Sequence, residues 1–187
     1  HGAWQQSGLK SASMPPNFSL GSVLRGKVLG IWGYGKIGQI VAGYGRAFGM
    51  HVMIWGSEAS RLKAAGDGYV AAATREAFFE EADVLSLHLR LHEATQGIVT
   101  LEDLSRMKPT ALFVNTSRGS IVDQKALLNE LRSGRISAYL DVFEQEPLPA
   151  DSELHLLDNV LLTPHISGGH TVNGGFERGN YIVNQLY

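Results

Sequence analysis

The chain has 187 residues, 44% of them hydrophobic and 18% charged, with a formal net charge of -2. This composition can fill the core of one globular domain and excludes a disordered polymer as a general description. The near-neutral charge argues against nucleic acid or an anionic membrane surface as partners, and the absence of cysteine excludes disulfides, thiolate metal sites and cysteine nucleophiles. No apolar run approaches the roughly 20 residues that span a bilayer, so we expect a cytoplasmic protein.

Apolar runs rich in Val, Ile and Leu alternate with helical patterns along most of the chain. Six short apolar runs predict strands that are buried on both faces: residues 27–32, 51–55, 83–87, 111–115, 136–140 and 160–163. Helical periodicity with capping or stop residues predicts helices at residues 37–48, 75–81, 101–107 and 123–133. This alternation predicts an α/β fold, a doubly wound parallel sheet with helices on both faces.

The two ends of the chain differ from its middle. Residues 1–22 are polar and contain Pro15-Pro16, which predicts an arm or linker. Residues 23–170 hold the predicted strands and form the doubly wound domain, and residues 171–187 predict a C-terminal helix.

The first loop of this domain contains a glycine-rich motif. Residues 33–38 read Gly33-Tyr34-Gly35-Lys36-Ile37-Gly38, directly after the first predicted strand and at the start of the first predicted helix. In this position G-x-G-x-x-G forms a tight turn, lets the backbone approach a pyrophosphate and lets the helix pack on the strand. The motif therefore predicts a dinucleotide site, to which Lys36 could add a positive charge.

The end of the second predicted strand leaves the choice between NAD and NADP open. A NAD site usually carries an acidic residue there, which accepts hydrogen bonds from the ribose. This chain has Gly56 instead, and Glu58, the first acidic residue, follows two positions later. Without a carboxylate to repel it, a 2′-phosphate could be contacted by Ser57 or Arg61. We expect NAD, with NADP as a live alternative.

Three polar stretches follow later strands, at the edge where doubly wound sheets bind ligands. They are residues 115–119, 141–147 and 163–169. An arginine in the first stretch can bind a carboxylate through two hydrogen bonds, and a histidine in the third can exchange a proton near neutral pH. An arginine, a glutamate and a histidine beside a dinucleotide suit hydride transfer to a 2-keto acid.

Five motifs occur in a fixed order between about Leu24 and Gly169: LRGKVLGIWGYGKIG, LSLHLRLHEATQGIV, MKPTALFVNTSRGSIVD, LDVFEQEPL and LLTPHISGG. Together they resemble the D-isomer-specific 2-hydroxyacid dehydrogenases. The resemblance implies a Rossmann domain and NAD(P)-dependent interconversion of a D-2-hydroxy acid and its 2-keto acid. It also implies that Arg118 binds the substrate carboxylate, that His165 is the acid or base, and that Glu146 pairs with His165.

The resemblance further implies which residues surround the cofactor. The loop glycines and Ser57 are already predicted from the residues themselves, and the resemblance adds Tyr34, Lys36, Ile37, Leu89, Arg90, Thr95, Thr116, Ser117, Asp141 and Gly168. Asp141 is expected near the nicotinamide carboxamide.

The chain departs from the family pattern at two points. Arg90 replaces a proline that is usual beside the cofactor. The run at residues 134–143 is one residue shorter than usual, which could shift the strand register before Asp141 and Glu146.

The histidine spacing raises the question of a metal site. His88 and His92 lie four residues apart, but in a predicted loop and without a clear third ligand. We therefore predict no metal.

In the family this domain is one of two. The chain resembles the cofactor domain with the substrate domain absent, so we expect it to be poorly active alone. The resemblance also implies a homodimer that acts on a small 2-hydroxy or 2-keto acid, without identifying which one. The alternative is a non-catalytic dinucleotide sensor like the transcriptional corepressors built on this fold, because those proteins keep similar residues.

Overall fold

The structure, a computed structural model, describes residues 22–167. Within this range seven parallel strands form one sheet in the order β3-β2-β1-β4-β5-β6-β7. Their bounds are β1 (Val28–Trp32), β2 (His51–Trp55), β3 (Val70–Ala71), β4 (Val84–Leu87), β5 (Leu112–Asn115), β6 (Ser137–Leu140) and β7 (Val160–Leu162). The predictions for residues 1–21 and 168–187, which include Gly168 and the C-terminal helix, lie outside the described residues.

Helices connect these strands. The α-helices of the described range are α1 (Lys36–Ala47), α2 (Glu58–Gly66), α3 (Arg75–Glu81), α4 (Leu101–Arg106) and α5 (Gln124–Arg132). Single 3-10 turns cover Glu93–Thr95, Gly119–Ile121 and Glu153–Leu156. The predicted caps at Thr74 and Thr100 are present, and no helix in this part of the chain is long and apolar enough to cross a membrane.

The predicted doubly wound fold is confirmed. All six predicted strands and all four predicted helices are present, with ends displaced by at most one residue. The sequence patterns missed β3 and α2. The first is a two-residue edge strand, and the second buries only Ala64, so neither carries the periodic apolar signal on which prediction depends.

Two apolar clusters cover the two faces of the sheet. On one face Leu29 and Ile31 of β1 pack with Ala42 of α1. On the other, Trp32 packs edge to face against Phe78 and Phe79 of α3. The alternation of β1 between these clusters explains why its run is apolar throughout.

The direction of strand order reverses between β1 and β4. Strands β1 to β3 extend the sheet to one side, and β4 to β7 extend it to the other. The loops that leave the carboxyl ends of β1 and β4 therefore separate and open a crevice, the place where doubly wound sheets bind ligands. The chain returns to the opposite, amino-terminal edge through turns with positive φ at Gly49, before β2, and Gly134, before β6.

The shortened run before Asp141 keeps a continuous ladder. Residues of β6 pair in parallel with β5 and β7, ending with Leu140 opposite Asn115 and Leu162. Asp141 therefore follows directly at the carboxyl end of the sheet, together with the loops after β1, β4, β5 and β7.

Candidate active site

Three glycines shape the loop between β1 and α1. Gly33 has φ +105, and a Cβ atom there would lie 2.6 Å from the His88 carbonyl oxygen. A Cβ on Gly38 would lie 2.1 Å from the Gly33 carbonyl oxygen, so α1 can approach β1 only without a side chain at this position. A Cβ on Gly35 would meet nothing within 4 Å. The loop is tight on its inner side and open at Gly35, as close approach by a pyrophosphate requires.

The start of α1 presents backbone donors to this opening. Gly35 is the N-cap residue and provides no side-chain hydrogen bond to the first turn. The first turn contains no acidic residue, and Lys36 and Ile37 are exposed. The first N–H groups and the positive end of the helix dipole therefore suit an anion. These residues fit the pyrophosphate of a dinucleotide.

Tyr34 lines this loop with its backbone. Its side chain is only 5% exposed, and its hydroxyl donates a hydrogen bond to Asp67 Oδ2 at 2.8 Å. Burial and this carboxylate raise the pKa of Tyr34 to about 12. The buried ring anchors the loop. The predicted contact with a cofactor is therefore a prediction about the backbone atoms of Tyr34.

At the end of β2 the chain carries a glycine where an acid is usual, and an arginine follows in α2. Gly56 has φ +155, a conformation that residues with a side chain rarely adopt. Ser57 caps α2, with its Oγ accepting a hydrogen bond from Ser60 N. The Arg61 guanidinium lies over the Trp55 ring at 4.8 Å, and its buried Nε has no hydrogen-bond partner among the described residues.

The loop after β4 is closed by Thr95. The Thr95 side chain is 8% exposed, and its hydroxyl donates to the Arg90 carbonyl oxygen at 2.7 Å. Arg90 itself is exposed, and Leu89 packs beside Gly33. Thr95 therefore supports the turn that carries Arg90. Its predicted contact with a cofactor would compete with this hydrogen bond for the same hydroxyl group.

His88 lies behind the glycine loop. Its backbone N–H donates to the Trp32 carbonyl oxygen at 2.8 Å, and the Nε2 atom of its ring is 3.0 Å from Ser86 Oγ. Burial lowers the pKa of His88 to about 4, so the imidazole is neutral at neutral pH. Among residues 22–167 no group of three or more His, Cys, Asp or Glu side chains is placed to hold a metal ion.

The loop after β5 is ordered by Asn115. This buried side chain donates to the Arg118 carbonyl oxygen and accepts from Ser117 N–H, both at 3.0 Å. Ser117 Oγ donates to the Leu87 carbonyl oxygen at 2.6 Å and ties the loop to β4. These bonds leave the Arg118 side chain exposed, with one guanidinium bond to the Ser117 carbonyl oxygen. Thr116, the other predicted residue here, is half-buried.

Glu146 and His165 form a pair at the same edge. His165 Nδ1 lies 2.7 Å from Glu146 Oε2, and both side chains remain more than one-third exposed. Glu146 Oε1 accepts a hydrogen bond from Phe143 N–H at 2.9 Å. The carboxylate is thus held by its own loop and fixes one ring nitrogen of the histidine.

Gly119 joins the arginine loop to the glutamate loop. A Cβ on Gly119 would lie 2.0 Å from the Phe143 carbonyl carbon, so the two backbones touch at this point. Because Gly119 follows Arg118 and Phe143 N–H binds Glu146, this contact places the backbone of the arginine loop against the loop that carries Glu146. A buried acid, Asp141, lies next to this contact in the chain.

These features can be compared with known proteins. The model of the D-isomer specific 2-hydroxyacid dehydrogenase family, NAD binding domain, matches residues 2–167. The chain belongs to this family. The resemblance inferred from the five motifs is therefore confirmed.

Three similar proteins illustrate the match. The glyoxylate reductase of Korarchaeum cryptofilum is 46% identical over 153 residues, which cover 80% of this chain and 45% of that protein. The crystal structure of a putative D-3-phosphoglycerate dehydrogenase from Ralstonia solanacearum is 54% identical, with a TM-score of 0.80, and the match covers 97% of this chain and 52% of that one. A family member from Xanthobacter autotrophicus, solved in complex with NADPH and MES, is 36% identical, with a TM-score of 0.68, over 75% of this chain and 44% of that one. The chain spans about half the length of these dehydrogenases.

Two residues of this candidate site were missed by sequence reasoning. Asn115 was included only as part of a polar stretch, although an asparagine at a strand end is a known signal for a side-chain-stabilised turn. Gly119 gave no signal, because its role depends on a contact with a residue 24 positions later. The predicted role of Asp141 near the nicotinamide stays a prediction; its side chain is fully buried, and its carboxylate binds the chain itself.

Proposed function

We propose that this chain provides the cofactor domain and the acid-base group of an NAD(P)-dependent D-2-hydroxyacid dehydrogenase. The observation that carries the proposal is the 2.7 Å contact between His165 Nδ1 and Glu146 Oε2, at the sheet edge that also holds the glycine loop. The reaction interconverts a 2-keto acid and a D-2-hydroxy acid. Family relatives named as reductases and dehydrogenases support an enzyme over a non-catalytic dinucleotide sensor.

His165 is the proton donor in reduction and the acceptor in oxidation. Because Nδ1 is engaged by Glu146, Nε2 is the ring nitrogen that remains for the substrate oxygen. Glu146 orients the ring, since its carboxylate is itself held in place by Phe143 N–H. A dinucleotide held by the glycine loop and the start of α1 would supply the hydride in reduction and accept it in oxidation.

Arg118 binds the substrate carboxylate and polarises the keto oxygen. Its guanidinium is exposed at the carboxyl end of β5, and a planar fork of N–H donors matches a carboxylate. The Gly119 contact holds this arginine at a fixed distance from the proton donor. Together, Arg118 and protonated His165 stabilise the negative charge that develops on the substrate oxygen.

The test of this function is His165→Asn in the full-length protein. Asparagine keeps a polar side chain but cannot exchange the proton, so glyoxylate reduction falls by about 10³-fold while cofactor binding persists. His155→Gln, at an exposed histidine of the Glu153–Leu156 turn, is the matched control and keeps its turnover. Turnover equal to that of the wild type in His165→Asn would refute the assignment.

We further propose that NADPH is bound at least as tightly as NADH. Three features support this: there is no acid at Gly56, Ser57 caps the N-terminus of α2, and the Arg61 guanidinium is stacked on Trp55. A 2′-phosphate is stabilised by a guanidinium and by a helix N-terminus. The relative solved with NADPH gives independent support.

Fluorescence titration of this chain with both cofactors tests the NADPH proposal. Arg61→Leu lowers the affinity for NADPH by about tenfold and leaves that for NADH unchanged, since one charge-assisted contact is worth about 1.5 kcal/mol. Arg46→Leu removes another stacked arginine, 4.0 Å from the Tyr69 ring, and is the control. Tighter NADH in the unaltered chain would instead assign Glu58 as the acid that binds the ribose.

The substrate and assembly of the full-length protein are also proposals. Glyoxylate is the first substrate to assay, because the relative from Korarchaeum cryptofilum is a glyoxylate reductase. Family membership supports a small 2-keto acid as the ligand and a cytoplasmic homodimer as the working form.

A further inference from the structure

The loop that carries His165 is held by two residues of β6 and its end. Tyr139 lies within β6, and Asp141 follows two residues later, directly after the strand. Ala138 and Leu140, the neighbours of Tyr139, are both 2% exposed in the core. Because side chains alternate along a strand, Tyr139 points to the opposite face of β6 from these two.

The Asp141 carboxylate binds the loop at three points. Oδ1 accepts hydrogen bonds from the Thr163 hydroxyl and from Ile166 N–H, and Oδ2 accepts one from Ser167 N–H, the two amide bonds being 2.9 Å long. Asp141 is fully buried. The Thr163 hydroxyl donates its proton to Asp141 Oδ1.

This assignment fixes the direction of the other hydroxyl groups. The Tyr139 hydroxyl lies 3.0 Å from Thr163 Oγ1 and 2.7 Å from Ser167 Oγ. Since Thr163 gives its proton to Asp141, it accepts one from Tyr139, and Tyr139 in turn accepts one from Ser167. The result is a directed chain of hydroxyl groups that ends on a buried carboxylate, an arrangement in which each bond strengthens the next.

The two ends of this chain bracket the histidine. Thr163 and Ser167 lie two residues before and two residues after His165, so the Tyr139 hydroxyl bridges the loop across it. His165 has φ +54, a backbone conformation that non-glycine residues adopt only when their surroundings hold them there. Asp141 binds the two amides that follow, and Tyr139 binds the side chains on either side.

We propose that Tyr139 is a positioning residue for His165: through Thr163 and Ser167 it keeps the loop in the conformation that sets Nδ1 against Glu146. The proposal rests on the proposed function of His165, but its first test does not depend on turnover. Without the Tyr139 hydroxyl, the loop keeps its bonds to Asp141 and loses the bridge between Thr163 and Ser167. The imidazole then spends less time in contact with Glu146.

The first test is NMR of this chain and of Tyr139→Phe, which removes the hydroxyl and keeps the ring. We expect the Ile166 and Ser167 amides to exchange with solvent about tenfold faster, because local opening of the loop becomes easier. The His165 Nδ1–H proton, seen far downfield when held by a carboxylate, broadens. Tyr44→Phe removes the hydroxyl of an exposed tyrosine on α1 and leaves both signals unchanged.

Two further variants protect this test against misfolding. Ser167→Ala removes an exposed hydroxyl and breaks the same bridge, so it reproduces the Tyr139→Phe effect even if that variant does not fold. Thr163→Val breaks the chain of hydroxyl groups, and Thr163→Ser restores it. Unaltered amide exchange in Tyr139→Phe or, should that variant not fold, in Ser167→Ala would overturn the proposal.

The second test separates positioning from simple stability. In the full-length protein, Tyr139→Phe lowers kcat about tenfold, while the KM for NADPH stays the same, because the glycine loop follows β1, which is separated from β6 by β4 and β5. A parallel loss of cofactor affinity would show a merely structural role and would overturn the proposal. If the unaltered chain lacked the downfield Nδ1–H signal, the Glu146–His165 pair itself would be contradicted. The amide-exchange rates of Ile166 and Ser167 would still test whether the Tyr139 hydroxyl bridges Thr163 and Ser167.

Discussion

The glycine loop after β1 is built in the opposite way to the loops after β5, β6 and β7. These three loops carry the proposed catalytic residues and together form what we call the catalytic edge. The glycine loop depends on the absence of side chains: Gly38 leaves room for the Gly33 carbonyl, and Gly35 leaves an opening. The catalytic edge depends on buried polar side chains, above all Asn115 and Asp141, which hold exposed functional groups in place. The backbone of the glycine loop therefore provides the surface for the dinucleotide. At the catalytic edge, side-chain hydrogen bonds position the proposed catalytic residues.

One glycine in each region makes this difference testable. In Gly38→Ala the new Cβ would lie 2.1 Å from the Gly33 carbonyl oxygen, so α1 must move away from β1. In Gly119→Ala it would lie 2.0 Å from the Phe143 carbonyl carbon, so the arginine and glutamate loops must separate. We expect Gly38→Ala to abolish NADPH binding and Gly119→Ala to abolish turnover with binding retained, as measured by titration and steady-state assay.

Gly43→Ala is the matched control for these substitutions. Gly43 lies in α1 like Gly38, but it is exposed, and a Cβ there meets nothing within 4 Å. Alanine should stabilise this helix by about 0.5–1 kcal/mol, seen as a higher unfolding midpoint. Loss of NADPH binding in Gly119→Ala would show that the two regions are not separable.

Arg118→Gln sharpens the comparison at the catalytic edge alone. Glutamine keeps a hydrogen-bonding group but removes the charge and the planar fork, so kcat/KM for the keto acid should fall by about 10³-fold. The affinity for NADPH, measured by titration, should stay within about twofold, since Arg118 belongs to the loop after β5. A selective loss of NADPH affinity would place Arg118 in the cofactor site instead.

His88→Gln tests the glycine-loop side through pH. The pKa of His88 is about 4 in the folded chain, below the ordinary value of 6.5, because burial disfavours the charged form. As the pH falls, His88 is protonated in the unfolded chain before it is protonated in the folded chain. Part of the free energy of unfolding that is present above pH 6.5 is therefore lost as the pH falls toward 4. The loss reaches at most about 3 kcal/mol.

Urea unfolding at several pH values measures this effect. His88→Gln should flatten the fall in the free energy of unfolding between pH 6.5 and 4, because glutamine does not titrate. His51→Gln, at an exposed histidine at the start of β2, should keep the slope of the unaltered chain. An identical slope in His88→Gln would show that His88 is accessible to protons in the folded state.

The sequence predicted those parts of the molecule that carry local signals. Apolar periodicity gave six of the seven described strands, and the position of the glycine motif after a strand predicted the opening for a pyrophosphate. Contacts between distant residues left no such trace. The touch of Gly119 on Phe143 and the bridge from Tyr139 to Ser167 depend on strand order, which brings residues 24 and 28 positions apart together. The same applies to the Arg61 guanidinium, whose place over Trp55 depends on a helix, α2, with a weak apolar pattern.

The turns at Gly49 and Gly134 have a practical use for experiments on this protein. They lie at the amino-terminal edge of the sheet, whereas the glycine loop and the loops that carry Arg118, Glu146 and His165 leave from the other edge. Ser133, beside Gly134, is exposed. A cysteine introduced there, in a chain that has no other, would give a unique point for attaching the protein to a sensor surface with its ligand-binding side facing the solution.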